Sequence, residues 1–109
     1  MKPPIFVYEP ADLSVFESIA AAELGVEPID VRNNEFLYYD AEGRILEASV
    51  VTDERGIERT LITGSDAFNK PGLKHALVEF FSALHYSRPE LENMELFELV
   101  NESLKFTTE

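Results

Sequence analysis

The rhythm of apolar and polar positions divides this chain into two halves. Up to about residue 62, apolar residues come in short β-branched and aromatic runs broken by Gly, Pro, Asp and Asn. Beyond Pro71 they recur every three or four residues. The first texture predicts strands and turns, the second helices. Residues 5–8, Ile-Phe-Val-Tyr, read as a strand that stops at Glu9-Pro10, and 13–17 return as its hairpin partner across Glu9-Pro10-Ala11-Asp12. Leu13, Phe16, Ala20 and Leu24 also fall at helical spacing behind Asp12, so a helix is the competing reading of that stretch. With the hairpin in place, Ser18 caps a short helix over 19–24 that Gly25 ends in the left-handed conformation.

The middle of the chain predicts a meander. Strands over 35–39 and 44–53 flank the turn Asp40-Ala41-Glu42-Gly43, and Glu54-Arg55-Gly56 returns the chain into 57–63. Leu46, Ala48 and Val50 share one face of the central strand, while Ile45, Glu47, Ser49 and Val51 share the other, as in a sheet with one mostly buried side. Two helices follow. Pro71 suits the first turn of one, whose apolar stripe is Leu73, Leu77, Phe80, Phe81 and Leu84. The other opens on the capping pattern Ser87-Arg88-Pro89-Glu90 and turns Leu96, Phe97, Val100 and Leu104 to the core. Glu95, Glu98 and Glu102 cluster on its far side, and Leu91 and Leu99 lie off its core face, where they mark an edge contact or a dimer seam. The expected architecture is α+β: an antiparallel sheet of about five strands, with the two C-terminal helices and the short N-terminal helix packed on one face. A length of 109 residues suits one domain over 1–109.

Composition narrows the function. Apolar residues at 45% and aromatics at 11% are enough to build a core. The absence of cysteine removes disulfides, thiolate nucleophiles and Cys-based metal sites. A formal charge of −12 would repel a nucleic-acid backbone, so no nucleic-acid partner is expected. The start of the chain lacks the apolar core of a signal peptide, and no run approaches the roughly 18 apolar residues of a membrane helix, which predicts a cytoplasmic chain with no membrane partner. The charge is unevenly placed. Residues 9–58 hold thirteen acids against three arginines, residues 59–88 four basic residues against two acids, and residues 89–109 six acids against Lys105.

Chemistry-bearing groups are few. His75 and His85 lie ten residues apart on one predicted helix, about 15 Å in rise, too far to share a metal or one proton transfer. Thr63-Gly64-Ser65-Asp66 sets a hydroxyl beside a carboxylate in a connecting loop, which turn chemistry explains as well as an anion nest does. Asp40 with Glu42, and Asp53 with Glu54, offer oxygen ligands without the spacing of a calcium loop and with Arg44 and Arg55 beside them. No catalytic residue, cofactor or metal is expected, and the reading is a non-enzymatic domain. The aromatic run Phe36-Leu37-Tyr38-Tyr39 alternates across the sheet, so one tyrosine should lie exposed among carboxylates, a surface suited to a basic protein partner. Tyr38, Tyr39, Asp40, Glu42 and Glu47 form that candidate surface, with Glu95, Glu98 and Glu102 as a second. Two alternatives stand beside it: a small-ligand site near Ser65, Asp66 and His75, and a homo-oligomeric module, a homodimer being the simplest form.

Glu27-Pro28-Ile29-Asp30-Val31 and Tyr39-Asp40-Ala41-Glu42-Gly43-Arg44 resemble small bacterial proteins proposed as immunity proteins of polymorphic or contact-dependent toxin systems, over roughly residues 4–46. The resemblance implies a small, acidic, cytosolic protein that blocks a toxin domain by binding it. It assigns no active site.

Overall fold

The structure, a computed structural model, describes residues 1–10 and 12–108; Ala11 of the expected first turn lies outside them. Five antiparallel strands, β1 (Ile5–Glu9), β2 (Asp12–Phe16), β3 (Leu37–Tyr39), β4 (Arg44–Thr52) and β5 (Glu58–Phe68), form one sheet in the order β2-β1-β3-β4-β5. The helices are α1 (Ile19–Gly25), α2 (Pro28–Arg32), α3 (Lys70–Ala83), α4 (Arg88–Asn93) and α5 (Leu96–Ser103), followed by a 3₁₀ turn over Leu104–Phe106. The class is α+β, with the C-terminal helices that the periodicity predicts.

Local chemistry explains most element boundaries. Gly43 and Gly56 take φ of +81° and +78° at the two meander turns, conformations a side chain would strain. The Ser18 hydroxyl accepts from Ala21 N at 3.0 Å and starts α1. Gly25 ends that helix without a left-handed φ; its lack of a side chain instead leaves room for the Phe16 ring. Asn69 starts α3 by accepting from Gly72 N at 3.0 Å, and Pro71 sits in the first turn.

The layering differs from the expected single covered face. Phe6, Leu13, Val15 and Tyr39 pack under α3, α4 and α5 with Leu73, Leu77, Phe81, Leu91 and Leu99. The alternate residues Ile5, Val7, Phe16, Tyr38, Leu46 and Ile62 form a second core with Ala22 and Val26, which α1 and α2 cover from the other side. The cause is β1: it lies inside the sheet and is apolar at every position from Ile5 to Tyr8, so both its faces need cover. α2, absent from the expected elements, begins on Pro28 and helps close the second core through Val31.

Three C-terminal helices stand where two are expected. Ser87 caps α4 by position but makes no side-chain bond there, and α4 ends at Asn93. Met94 and Glu95 are extended, with ψ of 145° and 155°, and α5 restarts when the Glu98 carboxylate accepts from Glu95 N at 2.9 Å. This break resets the helical phase, so Leu99, Val100 and Ser103 are buried, while Phe97 and Leu104 are exposed. β5 runs on to Phe68 and absorbs Thr63-Gly64-Ser65-Asp66, expected as a loop; the Ser65 hydroxyl donates to Ile45 O at 2.7 Å beside an irregularity in the β4–β5 register. The β2 edge is closed by the C-terminal segment, where Thr108 N donates to Val15 O. On the β5 edge, Ile62 N donates to the Glu23 carboxylate at 2.8 Å.

Candidate partner-binding surfaces

The five residues of the expected sheet surface do not stay together. Tyr38 and Tyr39, 8% and 5% exposed, sink into the two cores on opposite faces, which overturns the expectation of an exposed tyrosine. Burial raises both phenol pKa values, Tyr38 further through the charge of Asp30, so both rings stay neutral. The exposed member of the run is Leu37, next to Tyr8 in register and beyond the cover of the C-terminal helices. Asp40 is 1% exposed and structural. Its carboxylate accepts from Lys2 N at 3.2 Å, Glu42 N at 2.9 Å and Arg44 N at 2.9 Å, with Arg44 Nε 3.8 Å away. It thereby locks the β3–β4 turn to the N-terminal segment, aided by Ala41 N donating to Lys2 O at 2.8 Å. Glu42 and Glu47 are exposed.

On the helical side the phase reset exchanges the roles of four residues. Leu91 and Leu99, expected as a dimer seam, are fully buried, which removes that seam. Phe97, expected in the core, is 66% exposed, and Leu104 is exposed with it. Glu95 and Glu98 flank the start of α5 and are exposed. Glu102 accepts from Lys105 Nζ and Tyr86 Oη, each at 2.9 Å; these bonds, the lysine's foremost, lower its pKa and keep it ionised.

The fold brings one acid from each expected set to a single groove. The N-terminal segment, the β3–β4 turn, the start of α3 and α5 enclose about 550 Å³. Pro3, Pro4, Leu96, Phe97, Val100 and Leu104 supply an apolar lining. Glu42 and Glu95 border it together with Lys2 and Lys70. Asp40 positions this site indirectly, because its bond to Lys2 N holds the prolines against the turn. Glu98 and Glu102 continue the acidic character along α5 outside the groove. Composition and helical periodicity point to the glutamates but not to Phe97, whose exposure depends on the break at Met94-Glu95.

The groups considered for catalysis are dispersed or occupied. His75 Nε2 lies 2.9 Å from Glu79 Oε1 on the exposed side of α3, and His85 is exposed past the end of that helix with a φ of +71°. Ser65 is held in β5, and its backbone oxygen accepts from Arg44 Nη1 at 2.7 Å. Among the described residues, no three His, Asp or Glu side chains are grouped to hold a metal ion. An unforeseen acidic contact joins Asp30 and Glu35: a hydrogen bond that protonated Glu35 donates to Asp30, slight desolvation and the negative charges of Asp30 and Glu9 raise the Glu35 pKa. No helix of the described residues is long and apolar enough to cross a membrane. No protein-family model, curated protein or solved structure matches the chain.

Proposed function

We propose that this chain is a non-enzymatic protein-binding domain that docks a basic partner at the α5 groove. The observation that carries the reading is Phe97: a large aromatic ring, 66% exposed, beside an apolar groove of about 550 Å³ and bordered by carboxylates. A solitary exposed apolar residue needs no explanation. An exposed phenylalanine continuous with Leu104, Pro3 and Pro4 has the makeup of an interface centre, apolar in the middle and charged at the rim. Glu42 and Glu95 pair with Lys or Arg of the partner, while Lys2 and Lys70 favour a partner that carries an acid among its basic groups. The formal charge of −12 speeds the encounter with a basic surface. Within this reading, the resemblance of residues 4–46 favours an immunity-type role, in which the chain covers a toxin domain and its carboxylates occupy basic groups that otherwise hold phosphate.

Affinity capture with the wild-type chain, followed by titration of the purified partner against two variants, tests the assignment. Phe97→Ala should weaken binding at least about tenfold, as loss of a central anchor does. Glu42→Lys combined with Glu95→Lys should slow association and reduce its dependence on salt. Full affinity in both variants would assign the partner to another surface. The toxin reading adds a separate requirement: the captured partner must be a toxin domain whose activity falls on binding.

A further inference from the structure

A second cavity lies between α3 and the β1–β2 hairpin, built from different chemistry. It encloses about 420 Å³, within the span of roughly 300–1,000 Å³ usual for small-molecule pockets. Pro10, Leu13 and Phe80 form apolar walls, and beside Glu79 and Phe80 the helix α3 contributes the small side chains of Ala76 and Ala83. Those two alanines are seven residues apart, so they fall two turns apart on one side of the helix. Larger side chains at these positions would close the space.

The polar end is built by Tyr8 and Glu79. Tyr8 Oη donates to Glu79 Oε2 at 2.8 Å, and His75 holds the other carboxylate oxygen at 2.9 Å from outside the cavity. Each carboxylate oxygen keeps a second direction in which to accept a hydrogen bond. The hydrogen bond to Glu79 is the chief reason that the Tyr8 pKa is raised, which leaves its phenol a neutral donor to the carboxylate. Asp12 also borders the cavity, and among the described residues no lysine or arginine does. The enclosed field is therefore negative, and the aromatic side chains of Tyr8 and Phe80 border it. Such a site repels an organic anion and leaves the charge of Glu79 unused by a purely apolar molecule.

We propose that this cavity binds a small organic ammonium ion with an apolar body of about one ring, its ammonium on Glu79 and its body against Leu13, Ala76 and Phe80. The site does not depend on the α5 groove, and the two stand or fall separately. Phenethylammonium is a suitable probe, titrated into isotope-labelled protein while the methyl signals of Leu13, Ala76 and Ala83 are followed by NMR, with phenylacetate as its anionic counterpart.

Phenethylammonium should shift those three residues saturably, with a Kd below about 1 mM, and phenylacetate should not. Glu79→Gln should weaken binding at least about tenfold, and Ala83→Phe, at an exposed helical position, should abolish it by filling the cavity. Tyr8→Phe keeps the carboxylate and should cost less than Glu79→Gln. Four results would each overturn the proposal: no saturation by about 10 mM, equal binding of phenylacetate, unchanged affinity in Glu79→Gln, or shifts centred away from the cavity. A larger loss in Tyr8→Phe than in Glu79→Gln would do the same.

Discussion

Among the described residues, Asp40 is the one acidic or basic side chain that the fold buries, and its three backbone donors explain how that is tolerated. A buried carboxylate is costly when unpaired and becomes a structural tie when donors converge on it. Asp40→Ala would leave those amides without their acceptor and should cost about 2–4 kcal/mol, measured by urea unfolding. Charge reversal at Asp40 would therefore disturb the turn and the groove together, whereas Glu42 tests partner contact without that confusion. The tyrosines give a second residue-scale expectation. All four phenols have pKa values above the ordinary 10.0, Tyr8 and Tyr86 chiefly through hydrogen bonds to Glu79 and Glu102, Tyr38 and Tyr39 chiefly through burial. A raised folded pKa contributes stability that is complete below the unfolded value and is lost as pH rises through the folded one. Stability should thus decline above about pH 10. Tyrosinate absorbance in the folded protein should rise at higher pH than in the denatured chain, and coincident titrations would contradict the assigned environments.

At the scale of elements, the break between α4 and α5 has the largest consequence. Read as one helix from Ser87, the C-terminal periodicity turns Phe97 and Leu104 inward and Leu91 and Leu99 outward; two extended residues reverse each of these assignments. Met94-Glu95 contains neither Gly nor Pro, so local sequence carries no strong punctuation, although Glu95 and Glu98 already have the spacing that lets Glu98 satisfy Glu95 N. The strands and their turns were far more legible, because Gly43 and Gly56 mark their conformations locally. The second covered face was legible too, in the unbroken apolar run of β1, but the alternation of β4 alone suggests a one-sided sheet. Leu99→Ala should cost about 2–4 kcal/mol in thermal or urea unfolding, as removal of a packed core side chain does. Phe97→Ala should cost less than about 1 kcal/mol. The opposite order would restore the uninterrupted helix.

On the scale of the molecule, the two cores divide the labour. The α1–α2 side closes over the sheet through Ala22, Val26 and Val31. The C-terminal layer stops short of the start of β3 and of much of β4 and β5, leaving Leu37, Glu47 and Leu61 exposed on the same side of the sheet. The long axis of 51 Å, against 27 and 21 Å, separates surfaces that the charge count treats as one. Acidity in the sheet half and in the last helix was legible in the sequence. That Glu42 and Glu95 meet at one groove was not, because their meeting depends on an N-terminal segment tied down by Asp40 some forty residues away. The docking surface is thus a product of tertiary structure, with its anchor hidden by the phase reset of α5. Amide hydrogen exchange, compared between the free chain and its complex with the captured partner, tests this most directly. Docking at the groove predicts new protection over residues 41–43 and 96–104, with exchange in α1 and β5 unchanged; protection confined to α1, α2 or the β4–β5 strands, with 96–104 exchanging as in the free chain, would contradict it.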